Sequence, residues 1–323
     1  MPDIDFLAIG ETLVDFISTE AAENLARADT FRRHLGGSPA NIAVNMARLG
    51  MQTAVISKTG IGAFGQFLKR ELNRHGVQTD YLVMDHRVHT SFMFIARTIG
   101  TPDFEPRRNG DYKLTPDDVP PEAIARARIV HASAFALSRP PCRAAVGKAF
   151  QLAAQYGKIV SLDPNYSPVI WPDYRQARQV IREMFRYATI TKASLDDAHR
   201  FFGAGETPET YIEMLHRLGP QTVVLTMGRD GSLISHRGQL LGHLPARPLT
   251  VADATGAGDA FWAGYLTAML DGHAPERCLL FAREVAELKL ATVGPLPASF
   301  NRAGLYARLP EPSAAMKRPD SNA

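Results

Sequence analysis

The sequence predicts an α/β protein of three layers, α/β/α, with a mostly parallel central sheet and a small inserted β-sheet lid. Three observations lead there. From residue 113 onward, short apolar runs alternate with segments of helical period, the pattern of a parallel sheet covered on both faces. Two glycine-rich turns, Gly36-Gly37 and Gly256-Ala257-Gly258, each lie just before a helical segment. Extended runs at residues 13–17, 30–35 and 90–99 stand outside the alternation and suggest a small antiparallel sheet with one face free to cover something.

Taken in order, residues 4–9 read as a central strand ended by Gly10. Ser38 is a good N-cap, Pro39 suits the first helical position, and Gly50 closes a helix whose buried stripe is Ile42, Met46 and Leu49. Residues 53–57 form a strand, followed by Gly60-Ile61-Gly62-Ala63-Phe64-Gly65 and a helix to His75-Gly76. Strands at 129–132, 159–162, 189–191 and 223–226 are separated by helices, one of them opened by Ser194. Residues 232–235 pair back after the turn Met227-Gly228-Arg229-Asp230-Gly231. Leu249-Thr250-Val251 reads as a strand feeding the second glycine turn, and Trp262, Leu266, Met269 and Leu270 mark the helix beyond it. The expected division is an α/β domain of residues 1–11, 36–88 and 111–310, a lid of 12–35 and 89–110, and a flexible tail of 311–323.

One large α/β domain with a small appendage fits 323 residues. Hydrophobic residues make up 45% and charged residues 21%, an ordinary globular balance. A net charge of +3 supplies no basic face for nucleic acid or for a membrane. No apolar run is long enough to span a bilayer. Cys142 and Cys278 lack metal-type spacing and read as reduced thiols, and with no leader pattern at the N-terminus a cytoplasmic protein is expected.

The chemistry centres on Asp253-Ala254-Thr255-Gly256-Ala257-Gly258-Asp259. Small residues at a helix N-terminus leave backbone N–H groups pointing at a common spot, which suits a phosphoryl group in transfer. Asp259 alone reads as a helix-dipole partner. The bare residues beside it are unnecessary for capping, and a carboxylate next to an anion cradle can accept a proton from an attacking hydroxyl, although the dipole should make it a weak base. Gly36-Gly37 would let a ligand approach the backbone while Asn41 bonds one of its hydroxyls; a plain helix start accounts for the same residues. Polar residues at strand C-termini collect Asp163, Asn165, Lys192, Thr226 and Gly228 along the same edge. The GxGxxG at residues 60–65, with Asp80 beyond it, is the argument for a dinucleotide oxidoreductase; a tight turn with close helix packing is preferred.

Gly36-Gly37-Ser38-Pro39-Ala40-Asn41-Ile42-Ala43 and the segment 253–259 resemble the two signatures of the ribokinase-like, or phosphofructokinase-B, carbohydrate kinases. The similarity spans about residues 4–310, with Ala254 where Thr or Ser is common. It implies ATP and Mg2+ as cofactors and transfer of the γ-phosphoryl group to a primary hydroxyl. By that resemblance Asp259 is the catalytic base, and Gly256, Ala257 and Gly258 form the anion hole. Asp15, Gly37 and Asn41 contact sugar hydroxyls under the lid. Thr226 and Gly228, with Lys192 and Gly231, fall on the nucleotide side. Ser194 and Asp197 stand where many members carry Asn and Glu; Asp197 keeps a carboxylate to organise Mg2+ through water. Many members also use a monovalent cation such as K+ beside the anion hole, and Asp253 with the Thr255 carbonyl match part of that site, the rest lying around residues 291–299. Asp163-Pro164-Asn165 and the segment 104–111 look most like the fructokinase branch, with Arg108 or Arg107 as the substrate contact. Fructose is the first expectation, ahead of 2-keto-3-deoxygluconate, ribose or a nucleoside, and a phosphorylated sugar ranks lower. A non-catalytic sugar or nucleotide sensor is the rival of another class, and an exposed lid offers a surface for a homodimer.

Overall fold

The computed structural model describes residues 3–97, 103–252, 254–292, 296–297 and 300–317. Its strands are β1 (Ile4–Ile9), β2 (Leu13–Ala21), β3 (Phe31–Gly36), β4 (Thr53–Gly60), β5 (Val77–Gln78), β6 (Leu82–Asp85) and β7 (Phe92–Arg97) in the first third. They continue as β8 (Phe104–Arg107), β9 (Ala127–Ser133), β10 (Ile159–Asp163), β11 (Ile190–Ser194), β12 (Thr222–Thr226), β13 (Ser232–His236) and β14 (Gln239–Leu244).

The large sheet runs β14-β13-β12-β11-β10-β9-β1-β4-β5, with β6 also on β4. Pairing is parallel from β12 to β5, and β13 and β14 return antiparallel. Apolar side chains on alternate positions feed two cores. One face packs against the helices Ser38–Arg48, Ala257–Leu270 and Pro275–Leu290. The other packs against Cys142–Gln155, Tyr174–Phe185, Leu195–Phe202 and Pro208–His216. The three expected layers are therefore present. Connections leave β1 towards β4 on one side and β9 on the other, which opens a crevice beyond its C-terminal end.

The second sheet, β3-β2-β7-β8, is mixed, where an antiparallel one was expected. β2 pairs β7 in parallel because each leaves the main sheet in the same direction, and the two outer strands fold back on them. Val14, Phe16, Phe92 and Phe94 share one face, where Phe16 and Phe92 meet Phe64 of the helix Ala63–Arg74 with ring centroids 5.8 and 4.9 Å away. Asp15 lies on the opposite face.

Other expectations change. Leu249-Thr250-Val251 forms no strand: Leu249 and Val251 are exposed, and the chain is held beside a helix end by Ala252 N–H bonding the Leu290 carbonyl at 2.8 Å. Short β5 and β6 and the strand β14 carry too few patterned residues to stand out in the sequence. The start of the tail is not loose, since Lys317 and His243 exchange backbone bonds of 2.8 and 2.9 Å on the open edge of β14. The last Gly of the GxGxxG packs without room for a side chain, because a Cβ on Gly65 would overlap the Gly60 carbonyl oxygen. That motif is a packing turn. Both cysteines are free and buried, and among the described residues no helix is long and apolar enough to cross a membrane.

Candidate active site

The site forms where the N-termini of two helices meet above the C-terminal ends of β1, β9, β10 and β11. The helix Ala257–Leu270 starts from Gly256, whose φ of 73° is left-handed and therefore suits glycine. Its first turn carries Asp259, half-buried and aimed at the helix Ser38–Arg48. Ser38 Oγ donates to Asp259 Oδ1 at 2.7 Å, and Asn41 Nδ2 donates to Oδ2 at 3.0 Å. Ser38 is thus no N-cap; Gly37, with φ of 100°, holds that position and frees the hydroxyl for Asp259. Burial pushes the Asp259 carboxyl above its usual range, while Lys192, Ser38 and Asn41 pull it back. The direction is opposite to the one expected from the helix dipole, and burial is its largest cause.

Lys192 projects from β11 into the same space. Its Nζ lies 2.7 Å from Asp163 Oδ2, and a Cβ built on Gly258 would be only 3.4 Å from that nitrogen. The side chain is buried at 6% exposure. Burial works against the ammonium, yet Asp163, Asp197 and Asp259 together hold its pKa above the usual value. Asp197 and Ser194 form a reciprocal cap on the helix Leu195–Phe202, with Asp197 Oδ2 accepting from the Ser194 amide at 3.1 Å. Burial and the neighbouring Asp163 push Asp197 up.

On the other side stands Asp15 of β2, which reaches the site because Gly36 has no side chain; a Cβ there would overlap the Asp15 carboxyl group. Burial, helped by the charge of Asp259, pushes Asp15 up to about 7. A Cβ on Gly37 would sit 2.5 Å from the Glu11 carbonyl oxygen, so the lid joins the main sheet through closely packed backbone. Glu11 itself was missed by sequence reasoning. It follows β1, accepts from Ser133 Oγ at 2.7 Å, and leaves Oε2 buried without a hydrogen-bond partner among the described residues. Burial pushes it up to about 8. Its position two residues past a central strand was the available signal.

Arg108, expected to touch substrate, spends its guanidinium internally. It bonds Asp111 at 2.6 and 2.8 Å and Ser138 Oγ at 2.5 Å, and stacks 4.0 Å over Phe135. Asp111 also accepts from Ser91 Oγ. The network clamps the two ends of the β7–β8 hairpin where it leaves the main domain.

Thr226 ends β12 with Oγ1 3.4 Å from the Ala193 carbonyl, and Gly228 opens a short 3-10 turn with φ of 57°. Gly231 is required by the approach of Ala246 N, 2.7 Å from any Cβ placed there. Thr255 is described, whereas Asp253, Ala298 and Ser299 lie outside the described residues. Lys289, on a helix the sequence reading passed over, is buried at 5% exposure with Cε 3.9 Å from a Cβ placed on Gly256. The signal was a lysine four residues after Val285 on the buried stripe of its helix.

Carboxylates and glycine turns apart, two ammonium groups therefore flank the bare turn, Lys192 beside Gly258 and Lys289 beside Gly256. That arrangement can gather phosphate charge and place it against a half-buried base.

The model of the family described as "pfkB family carbohydrate kinase" matches residues 3–299. An ATP-dependent 6-phosphofructokinase of Thermoanaerobacterium thermosaccharolyticum is 34% identical over 290 residues, 90% of this chain and 89% of that one. Fructokinase-1 of Zea mays is 33% identical over 258 residues, 79% and 80% of the two chains. The solved fructokinase of Halothermothrix orenii superposes with a TM-score of 0.76 at 37% identity, covering 88% of this chain and 96% of that one. A neighbour from E. coli, solved in complex with ATP and Mg2+, shares the fold at a TM-score of 0.83 and 22% identity, over 94% and 98% of the two chains.

Proposed function

We propose fructose as the acceptor of this chain, which belongs to the pfkB family of carbohydrate kinases and is an ATP-dependent sugar kinase. The observation that carries the assignment of roles is the half-buried Asp259 at the tip of a glycine turn, bracketed by Lys192 and by two donors of another helix. The acceptor's primary hydroxyl takes the place of Ser38 Oγ on Asp259, gives up its proton there, and attacks the γ-phosphorus in line as the bond to the β,γ-bridging oxygen breaks and ADP leaves. The backbone amides of Gly256, Ala257 and Gly258 and the Lys192 ammonium receive the charge that develops on the phosphoryl oxygens. Fixed donors in a water-poor site contribute more than they would in water.

Asp15, Gly37 and Asn41 hold the sugar, and the β2-β3-β7-β8 sheet is the lid that excludes water. Arg108, locked to Asp111, sets the lid's hinge and reaches the sugar only through it. Thr226, Gly228 and Gly231 shape the nucleotide end of the crevice. Exposed Leu249, Val251 and Leu288 offer apolar surface for a base there.

Mg2+ fits the donor set. Asp197, with Asp163 beside Lys192, would offer it hard carboxylate oxygens, and among the described residues no group of three or more acids, histidines or cysteines could hold a metal by itself. That suits an ion carried in on nucleotide phosphates, with Asp197 reaching it through water. When bound it neutralises phosphate charge. A homodimer through the lid is the proposed assembly, since β3 and β8 are open edges.

The phosphofructokinase relative supports a second acceptor, fructose 6-phosphate. On this chain Arg108 is committed to Asp111 and Arg107 pairs with Glu105, so that doublet is not available to a second phosphate. Arg32, opposite Ile17 on the Asp15 face of the lid, is the cation placed for one. Substrate-dependent ADP release decides: a far higher kcat/KM for fructose than for fructose 6-phosphate, 2-keto-3-deoxygluconate, ribose or nucleosides supports the assignment, and preference for any of the others overturns it.

A further inference from the structure

The family resemblance nominates Thr255 and the segment from residue 291 for a monovalent cation, and a lysine lies between the neighbouring Gly256 and Thr292. Lys289 ends the helix Pro275–Leu290 on its buried stripe. Its Nζ donates to the Thr292 carbonyl at 3.4 Å, and its Cε packs against Gly256. Its charge acts on Asp259 and helps draw that carboxyl down. At 5% exposure the ammonium is inside the protein, directly behind the anion-hole turn.

We infer that the Lys289 ammonium occupies the position of the monovalent cation, so that this kinase requires no K+. The inference rests on the reading of residues 256–259 as the anion hole. An ammonium and K+ are alike where it matters: one positive charge, compact, and satisfied by backbone carbonyl oxygens. With the ammonium already at the Thr292 carbonyl, a second cation there would set two like charges side by side. A tethered cation has a further consequence. It is present before nucleotide arrives and stays after products leave, so the turn keeps its shape without an ion to recruit.

The test compares sugar-dependent ADP release in a potassium-free buffer of tetramethylammonium chloride with the same assay in KCl at equal ionic strength. The wild-type enzyme should show the same kcat/KM in both, and its melting temperature should not respond to K+. Lys289→Ala should lose roughly a hundredfold in turnover without K+, the scale of removing one fixed charge-stabilising donor. KCl should restore part of that loss and raise the variant's melting temperature by mass action. Lys289→Met, which keeps the stem and the packing, should lose activity without rescue. A wild-type enzyme that is activated several-fold by K+, or stabilised by it, overturns the inference whatever the variants do. So does a Lys289→Met variant with wild-type turnover in tetramethylammonium. Loss of activity in Asp259→Asn, measured alongside, tells a failure here from a failure of the anion-hole assignment.

Discussion

Ser38 Oγ sits 2.7 Å from Asp259 Oδ1, so the proposed catalytic base holds an alcohol before any sugar arrives. Asn41 occupies the other oxygen. The base is therefore kept hydrogen-bonded in a half-buried place where an unpaired carboxylate would be costly. The acceptor must displace one of these donors, and the serine is the chemical equivalent of the hydroxyl that replaces it.

Ser38→Ala should move the acid limb of the kcat/KM profile to higher pH. Burial already raises the Asp259 pKa and the Ser38 hydroxyl bond lowers it, so removing the bond lets the pKa climb. Because the base works deprotonated, activity is then lost at a higher pH as the solution is acidified. A pH–rate profile measures this; an unmoved or lowered limb contradicts it.

Glu11→Gln and Asp15→Asn should raise the melting temperature at pH 8 and leave it nearly unchanged at about pH 4. Both groups have raised pKa values in the folded state, from 4.5 to about 8 for Glu11 and from 3.8 to about 7 for Asp15. The folded protein then binds protons more tightly than the unfolded chain, and stability falls as pH rises between those pairs of values. Neutral isosteres remove that loss. Melts across the range check the sign, and Asp15→Asn should also weaken sugar binding.

Lys192→Met should destabilise the protein by about 3–5 kcal/mol, since it strands Asp163 and Asp197 as buried carboxylates without their counter-ion. Adding Asp163→Asn should recover part of the loss. Denaturant titrations of the two single variants and the double variant read the coupling, and strict additivity would contradict it.

Gly36→Ala should raise the KM for sugar while leaving the KM for ATP alone, because the new methyl group displaces the Asp15 carboxyl. Gly62→Ala provides the contrast, with nothing within 4 Å of its Cβ and an ordinary extended φ of −68°. Steady-state kinetics should find Gly62→Ala unchanged. A large effect there would revive a ligand-binding role for the GxGxxG.

The layers, the parallel sheet and the glycine turns were legible in the sequence because they rest on local signals: alternation, helical period and bare residues at helix starts. What escaped rests on contacts between distant segments. Ser38 looked like an N-cap because its neighbours on the chain suggest one; its partner is 221 positions away. Arg108 looked available for substrate because nothing in its local sequence shows that Phe135 and Ser138 close over it. Leu249 and Val251 carry strand-forming side chains, but among the described residues no strand pairs with them. Glu11 and Lys289 are charged residues at buried positions, a conflict that becomes visible only once the strand end and the helix stripe around them are known.

Turnover by Asp259→Asn in the presence of ATP, Mg2+ and fructose is the most direct test of the central claim. The variant keeps the shape, the helix start and the bare amides, and loses the proton acceptor. It should bind ATP within about twofold of the wild type and turn over slower by roughly 10²–10⁴, the range for a lost general base. Turnover close to the wild-type value would remove Asp259 from the chemistry, and with it the account of why two helix tips, two lysines and a lid converge on this carboxylate.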